Sequence, residues 1–224
     1  TLFMGFALLS IYYGPTVFFD RMAYVFVDLI DPFTGSRWSL TVSENLKPYA
    51  HDWLSYFGWE YLSLVFIGGV ILFYETFKGL GKKVSILTFF YGLMLLAVFF
   101  SRYSSASLLD GKTIYSYFLY LGSLLFFFLT LIFVFTWHYR KDRQAYTSFL
   151  QSIPLAYVFI LVFFLFLFLG GRSAYRLLFV FSPITAILAS YFFYWMYLTS
   201  KTIQKKIVFS YFIHFVLFFL VLFL

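Results

Sequence analysis

The stretch Ile114–Thr136, which reads IYSYFLYLGSLLFFFLTLIFVFT, decides the fold class of this chain. It carries no charged residue, and its apolar residues follow one another without the alternation that a barrel strand requires. A membrane-spanning α-helix needs about 20 predominantly apolar residues, at a rise of about 1.5 Å each. The stretch therefore predicts a transmembrane helix.

Apolar segments of similar length occur along the whole chain. The seven segments are Thr1–Phe19, Trp59–Phe77, Val84–Phe100, Ile114–Thr136, Ile153–Leu169, Tyr175–Leu198 and Ile207–Leu224. Of the 224 residues, 63% are hydrophobic and 11% are charged, whereas a soluble domain has about 25% charged residues. The composition excludes a soluble globular domain and predicts an all-α, polytopic integral membrane protein with about seven spans.

The connections between these segments alternate in charge. Every second connection is basic, and the basic residues are Lys78, Lys82, Lys83, Arg140, Lys141, Arg143, Lys201, Lys205 and Lys206. The positive-inside rule assigns these loops to the cytoplasm and the other connections to the outer side. The loops also explain the net charge of +7, so a nucleic-acid partner is not needed to account for it.

The predicted organisation is one transmembrane helix (residues 1–19), a long outer loop (20–58) and six further transmembrane helices (59–224). The loop should be ordered because it carries apolar anchors. These anchors are Phe33, Trp38, Tyr49 and Trp53. Because the chain starts and stops within apolar segments, we expect it to be part of a longer protein.

Three arginines at the predicted outer side are candidate ligands for phosphate. Arg172 and Arg176 are four residues apart, so they should share a helix face. They also open a segment whose N-terminus carries partial positive charge, which favours a counter-anion such as phosphate. The alternative is that both side chains extend to lipid headgroups, and the same two possibilities apply to Arg102.

Common catalytic motifs are otherwise missing. The sequence contains no HExxH, no GxxxxGK[ST] or GxGxxG, and no GxSxG, and the three histidines are far apart. Glu44 stands in Thr41-Val-Ser-Glu44, between apolar stretches. By pattern alone this glutamate is either part of a helix N-cap or a functional carboxylate.

Two motifs, however, resemble the catalytic subunit of oligosaccharyltransferases. The stretch Thr41–Asn45 followed by Pro48 and Trp53 is similar to the Ser-Val-Ser-Glu or Thr-Ile-x-Glu motif of that family. Arg176, an apolar run and Pro183 seven residues later resemble a second family pattern, and both motifs lie on the predicted outer side. The stretch Ser101–Ser105 with Asp110-Gly111 resembles archaeal members, which indicates an archaeal cell membrane.

The resemblance implies a C-type glycosyltransferase fold. It also implies transfer of a glycan from a lipid-linked donor to the asparagine of an Asn-x-Ser/Thr sequon in an acceptor polypeptide. Glu44 would be catalytic, holding a divalent Mn²⁺ or Mg²⁺ ion and the acceptor amide. Arg176 would bind the donor phosphates, with Arg172 a candidate second contact and Arg102 a competitor for the role.

Departures from the family keep other functions open. The family's metal-binding aspartates would precede Thr1, its Trp-Trp-Asp motif would follow Leu224, and about two extra spans separate the two motifs. We therefore expect the 224 residues alone to be inactive. The alternatives are a non-catalytic transporter or lipid-linked-sugar flippase, and a lipid-linked-sugar transferase that does not need Glu44. A transporter should place ionisable groups near the membrane midplane.

Overall fold

The computed structural model describes residues 46–203, and this part of the chain is helical, without strands. The helices are α1 (Ala50–Phe57), α2 (Trp59–Phe77), α3 (Lys83–Phe100), α4 (Ile114–Lys141), α5 (Arg143–Ser152), α6 (Leu155–Gly171) and α7 (Tyr175–Ile203). A 3₁₀ turn, Lys78–Leu80, follows α2, and a π-helical turn, Phe118–Gly122, lies within α4.

Four of these helices are long and apolar enough to cross a membrane. They are α2 with its 3₁₀ turn, α3, α4 and α7. The count becomes five if α5 and α6, which meet at 78°, form one broken span. The bend falls where Pro154 precedes α6, because proline disfavours helical geometry in the residue before it.

The five apolar segments predicted between residues 59 and 198 each coincide with a helix, so the all-α prediction is confirmed for this part of the chain. The first and seventh segments, Thr1–Phe19 and Ile207–Leu224, lie outside the described residues. So does residue range 20–45 of the predicted outer loop. The separate helix α5 was not anticipated; Asp142 caps it by accepting hydrogen bonds from the backbone N–H groups of Gln144 and Ala145.

The helices run alternately between two ends of the bundle. We call the end that holds α1, Arg102 and Arg172 the upper end, and the end that holds Lys78, Lys83 and Lys201 the lower end. Helix α2 lies centrally and contacts α3, α6 and α7. Helix α4 packs mainly against α3 and also meets α2 through the ring pairs Phe73–Phe127 and Phe77–Phe135. This arrangement buries one continuous apolar core, rich in phenylalanine and leucine.

Small residues let α2 and α7 approach closely. A Cβ atom on Gly68 would collide with the carbonyl oxygen of Leu188 in α7. Near the upper end the same two helices are joined by a hydrogen bond of 3.0 Å between the hydroxyls of Tyr61 and Thr185. Thr185 lies two residues after Pro183, which is inside α7. Packing through small residues and hydroxyl contacts is typical of transmembrane helices.

Candidate functional site at the upper end

Helix α1 is anchored on the bundle mainly by Trp53, and Phe57 also packs on Phe181. Trp53 is 2% exposed, and its ring meets Phe99, Phe168 and Phe181 edge-on at centroid distances of 6.1, 5.6 and 5.3 Å. These three phenylalanines belong to three different helices, α3, α6 and α7. Trp53 therefore closes the upper end of the core, which agrees with its predicted role as an apolar anchor of the loop.

The segment that leads into α1 is fixed by backbone hydrogen bonds. The N–H of Tyr175 donates to the carbonyl oxygen of Leu46 at 3.0 Å, and the N–H of Ala50 donates to the carbonyl oxygen of Arg102 at 2.9 Å. Asp52 accepts from the N–H of Tyr49 at 2.6 Å. The segment thus connects the start of α7 with the end of α3.

Arg172 does not share a helix face with Arg176, which corrects the prediction from their spacing. It lies in the turn between α6 and α7, because α7 begins only at Tyr175, and its side chain is 3% exposed. Its guanidinium donates to the carbonyl oxygen of Val98 and to the Ser101 hydroxyl. These acceptors lie at the C-terminus of α3, the end of a helix where a cation is stabilised by the helix dipole.

Arg102 lies beside Arg172 at the same end of α3 and is 8% exposed. Each guanidinium packs on a tyrosine ring: Arg102 on Tyr49 at 4.6 Å from the ring centroid, and Arg172 on Tyr120 at 4.3 Å. Tyr120 belongs to the π-helical turn of α4. The two arginines therefore join α1, α3, α4 and the α6–α7 turn through polar and cation–π contacts.

Burial disfavours the charged form of both arginines. The pKa of Arg172 is lowered to about 10, mainly by burial; Tyr120 opposes the shift, and the charge of Arg102 contributes to it. Burial also lowers the pKa of Arg102, and Tyr49, Asp110 and Asp52 oppose that shift. Both groups stay charged at neutral pH, so the upper end holds two adjacent buried positive charges.

Arg176 differs from the other two arginines because its side chain is exposed. It is the second residue of α7, directly after Tyr175, and so lies at the upper end. The structure therefore brings Arg102 and Arg172 together and leaves Arg176 facing outward from the bundle. Glu44, the predicted catalytic and metal-binding residue, lies outside the described residues.

The carboxylates near the arginines do not form a metal centre by themselves. Within residues 46–203 no group of three or more His, Cys, Asp or Glu side chains lies close enough together to hold a metal ion. Asp52 accepts from the N–H of Tyr49, and one oxygen of Asp110 accepts from the N–H groups of Lys112 and Thr113. Both carboxylates thus accept hydrogen bonds from backbone N–H groups close to them in the sequence.

Sequence reasoning missed the tyrosines and Ser101 that surround the buried arginines. Tyr49 was identified only as an apolar anchor, and Tyr120 lies in the middle of the stretch that predicts a transmembrane helix. A tyrosine six residues into an apolar span is a weak signal, because tyrosine is also common at membrane interfaces. Only the packing of α4 against α3 shows that Tyr120 contacts Arg172.

The chain has no match among protein-family models, curated proteins or solved structures. Its resemblance to oligosaccharyltransferases consequently depends on the two motifs around Glu44 and Arg176, and stays a prediction from them.

Proposed function

We propose that this protein is part of a membrane glycosyltransferase that transfers a lipid-linked oligosaccharide to the asparagine of an Asn-x-Ser/Thr sequon. The observation that carries the proposal is the contact between the two motif-bearing segments. Leu46, two residues after Glu44, accepts a 3.0 Å hydrogen bond from the N–H of Tyr175, the residue before Arg176. Segments that are far apart in sequence, and that resemble the same family, thus meet at one end of the bundle.

Among the three candidate arginines, we assign the donor phosphate to Arg176. Its guanidinium is exposed at the upper end, where a ligand can reach it, and its planar fork suits the oxygens of a phosphate. Arg172 and Arg102 are buried and contact α3 and two tyrosines. We assign them the supporting role of holding the segment after Glu44 against the end of α3.

In the proposed reaction, the amide nitrogen of the acceptor asparagine forms a bond to C1 of the sugar. The bond between C1 and the phosphate oxygen of the donor breaks with its electron pair going to that oxygen, and the proton lost from the amide nitrogen passes to the leaving phosphate or to water. The charge that develops on the leaving lipid phosphate is stabilised by Arg176. Glu44 would accept a hydrogen bond from the acceptor amide and so orient it for attack.

The divalent metal enters this proposal only through Glu44. The carboxylates of residues 46–203 do not provide an Mn²⁺ or Mg²⁺ site, so the metal would need ligands from elsewhere in the protein. No step of the reaction above is assigned to it.

The position of ionisable groups favours this function over a transporter or flippase. In the described spans, Asp, Glu, Lys, Arg and His residues occur only within about two helical turns of a span end. A transporter would be expected to carry such groups near the membrane midplane. By the positive-inside rule the lower end faces the cytoplasm, which would place Glu44 and Arg176 toward the outer face.

The proposal is tested with Glu44→Gln and Arg176→Ala in the full-length protein, using a synthetic sequon peptide and the purified donor lipid. Glu44→Gln should abolish peptide glycosylation and leave donor binding intact, whereas Arg176→Ala should weaken donor binding. Glu60→Gln, an exposed carboxylate at the start of α2, and Arg140→Ala, an exposed arginine at the lower end, are matched controls. Full glycosylation by Glu44→Gln would refute the proposal, and donor transfer to another sugar but not to peptide would favour the lipid-linked-sugar transferase.

A further inference from the structure

A cavity at the lower end is separate from the site described above. Its volume is about 640 Å³, within the usual range for small-ligand sites of about 300–1,000 Å³. It lies between the end of α2, the α5–α6 bend and the lower half of α7. The side chains that give it its chemical character are Glu75, Lys78, Tyr157, Tyr191, Tyr194 and Trp195.

The bend between α5 and α6 makes room for this cavity. At the bend, α5 leaves the direction of α6 by 78°, and Ser152 and Pro154 line the cavity. Gly79 also lines the cavity, next to α5: a Cβ atom on it would lie 2.8 Å from the Phe149 ring and 3.5 Å from Ser152 Oγ. The bend thus brings α5 against the 3₁₀ turn after α2, and the cavity opens beside this contact.

The cavity presents one charge of each sign. Lys78 Nζ donates to Glu75 Oε2 at 2.8 Å, and the two side chains are 66% and 25% exposed. The pair is thus accessible from the cavity and weakly held, because exposed ion pairs of this spacing contribute little stability. A ligand that carries both a cation and an anion can replace this ion pair. Its cation would contact Glu75 and its anion would contact Lys78, so neither side chain would be left as an unpaired charge.

Aromatic side chains line the same cavity as this ion pair. The Tyr157 and Tyr191 rings meet edge-on at 5.7 Å, and the Tyr191 and Tyr194 rings lie 6.3 Å apart. Trp195 follows directly in α7. Clustered aromatic side chains of this kind attract ammonium groups, and a nearby carboxylate adds to the attraction.

The depth of the cavity indicates which molecules reach it. Glu75 is five residues from the end of the α2 span at Leu80, or about 7 Å along the helix axis. Trp195 is six residues from the end of the α7 span at Lys201, or about 9 Å. Tyrosine and tryptophan are enriched at this level of a bilayer, where lipid headgroups meet the acyl chains.

We propose that this cavity binds the headgroup of a zwitterionic phospholipid that carries an ammonium group. The ammonium lies between Glu75 and the rings of Tyr157, Tyr191 and Tyr194, and the phosphate contacts Lys78. An anionic lipid without an ammonium group would leave Glu75 facing its phosphate, so the cavity discriminates against it. The proposal is independent of the glycosyltransferase function, because the cavity lies at the other end of the bundle.

The test is a lipid competition on the full-length protein in detergent, read by native mass spectrometry. The protein is incubated with equal amounts of phosphatidylethanolamine and phosphatidylglycerol that have the same acyl chains. We expect retained phosphatidylethanolamine to exceed phosphatidylglycerol by about tenfold, the scale of a desolvated cation–π contact with a carboxylate. Glu75→Gln should bring the ratio close to one.

A second pair of variants controls for folding. Tyr194→Leu, in the cavity, should reduce phosphatidylethanolamine retention several-fold, whereas Tyr197→Leu, an exposed α7 tyrosine outside the cavity, should not. Equal retention of both lipids, preference for phosphatidylglycerol, or an unchanged ratio in Glu75→Gln would each overturn the proposal. Equal loss of binding in both tyrosine variants would also overturn it.

Discussion

Replacing Trp53 by alanine should detach α1 from the upper end of the bundle. The ring makes three edge-on contacts, with Phe99, Phe168 and Phe181, at 5.3–6.1 Å. Each such pair contributes about 0.5–1.5 kcal/mol beyond the area that it buries. The three together give about 1.5–4.5 kcal/mol. Transfer from water does not contribute, because the detached ring would move into the membrane interface or detergent.

The assay is the thermal stability of the purified protein in detergent, followed by the monodisperse fraction on size-exclusion chromatography after heating. Since 1 kcal/mol corresponds to about 2–4 °C in a chain of this size, Trp53→Ala should lower the midpoint by about 3–18 °C. Trp59→Ala is the matched control, because Trp59 is at the same end and is 65% exposed. A shift below about 2 °C for Trp53→Ala, or an equal shift for both variants, would refute the role of Trp53 as the anchor of α1.

Three further predictions use the same thermal assay. Gly171→Ala should destabilise the protein because its Cβ would lie 2.8 Å from Trp53 Cη2, and adding Trp53→Phe should relieve this effect. If the losses of the two single variants simply add in the double variant, the proposed clash is contradicted. Gly68→Ala should destabilise the α2–α7 contact by about 1–3 kcal/mol. Gly69→Ala should be tolerated, because the nearest atom to its Cβ would be a Phe164 ring carbon at 3.6 Å. Similar midpoints for the two variants would count against the close approach of α2 and α7. Arg172→Lys should lower the midpoint more than Arg176→Lys, because lysine lacks the planar guanidinium that packs on the Tyr120 ring while its Nη1 donates to Val98 O and Ser101 Oγ. A larger loss in Arg176→Lys would contradict the structural role of Arg172.

Much of the fold could be predicted from the sequence because lipid leaves few alternatives to a helix. A backbone in hydrocarbon must satisfy its own hydrogen bonds, so an uncharged stretch such as Ile114–Thr136 has to be helical. The five apolar segments between residues 59 and 198 therefore became helices. The alternating basic loops likewise predict that Lys78, Arg140 and Lys201 lie at one end, as they do.

The candidate site was less predictable, because it depends on where a helix starts. Spacing alone put Arg172 and Arg176 on one face of one helix. The structure begins α7 at Tyr175, which leaves Arg172 in a turn where its side chain reaches the C-terminus of α3. A shift of three residues in a helix boundary thus separates a buried arginine from an exposed one.

The sequence by itself determined that this is a helical membrane protein and where its long described helices lie. Those properties depend on local composition, because a long apolar stretch in the bilayer has to be helical. Only the tertiary structure decided that the segment after Glu44 meets the start of α7, that Arg102 and Arg172 pack on tyrosines, and that a cavity opens beside Glu75. These depend on which helices pack together, and that is set by side-chain shape and small residues such as Gly68, which hydropathy does not distinguish.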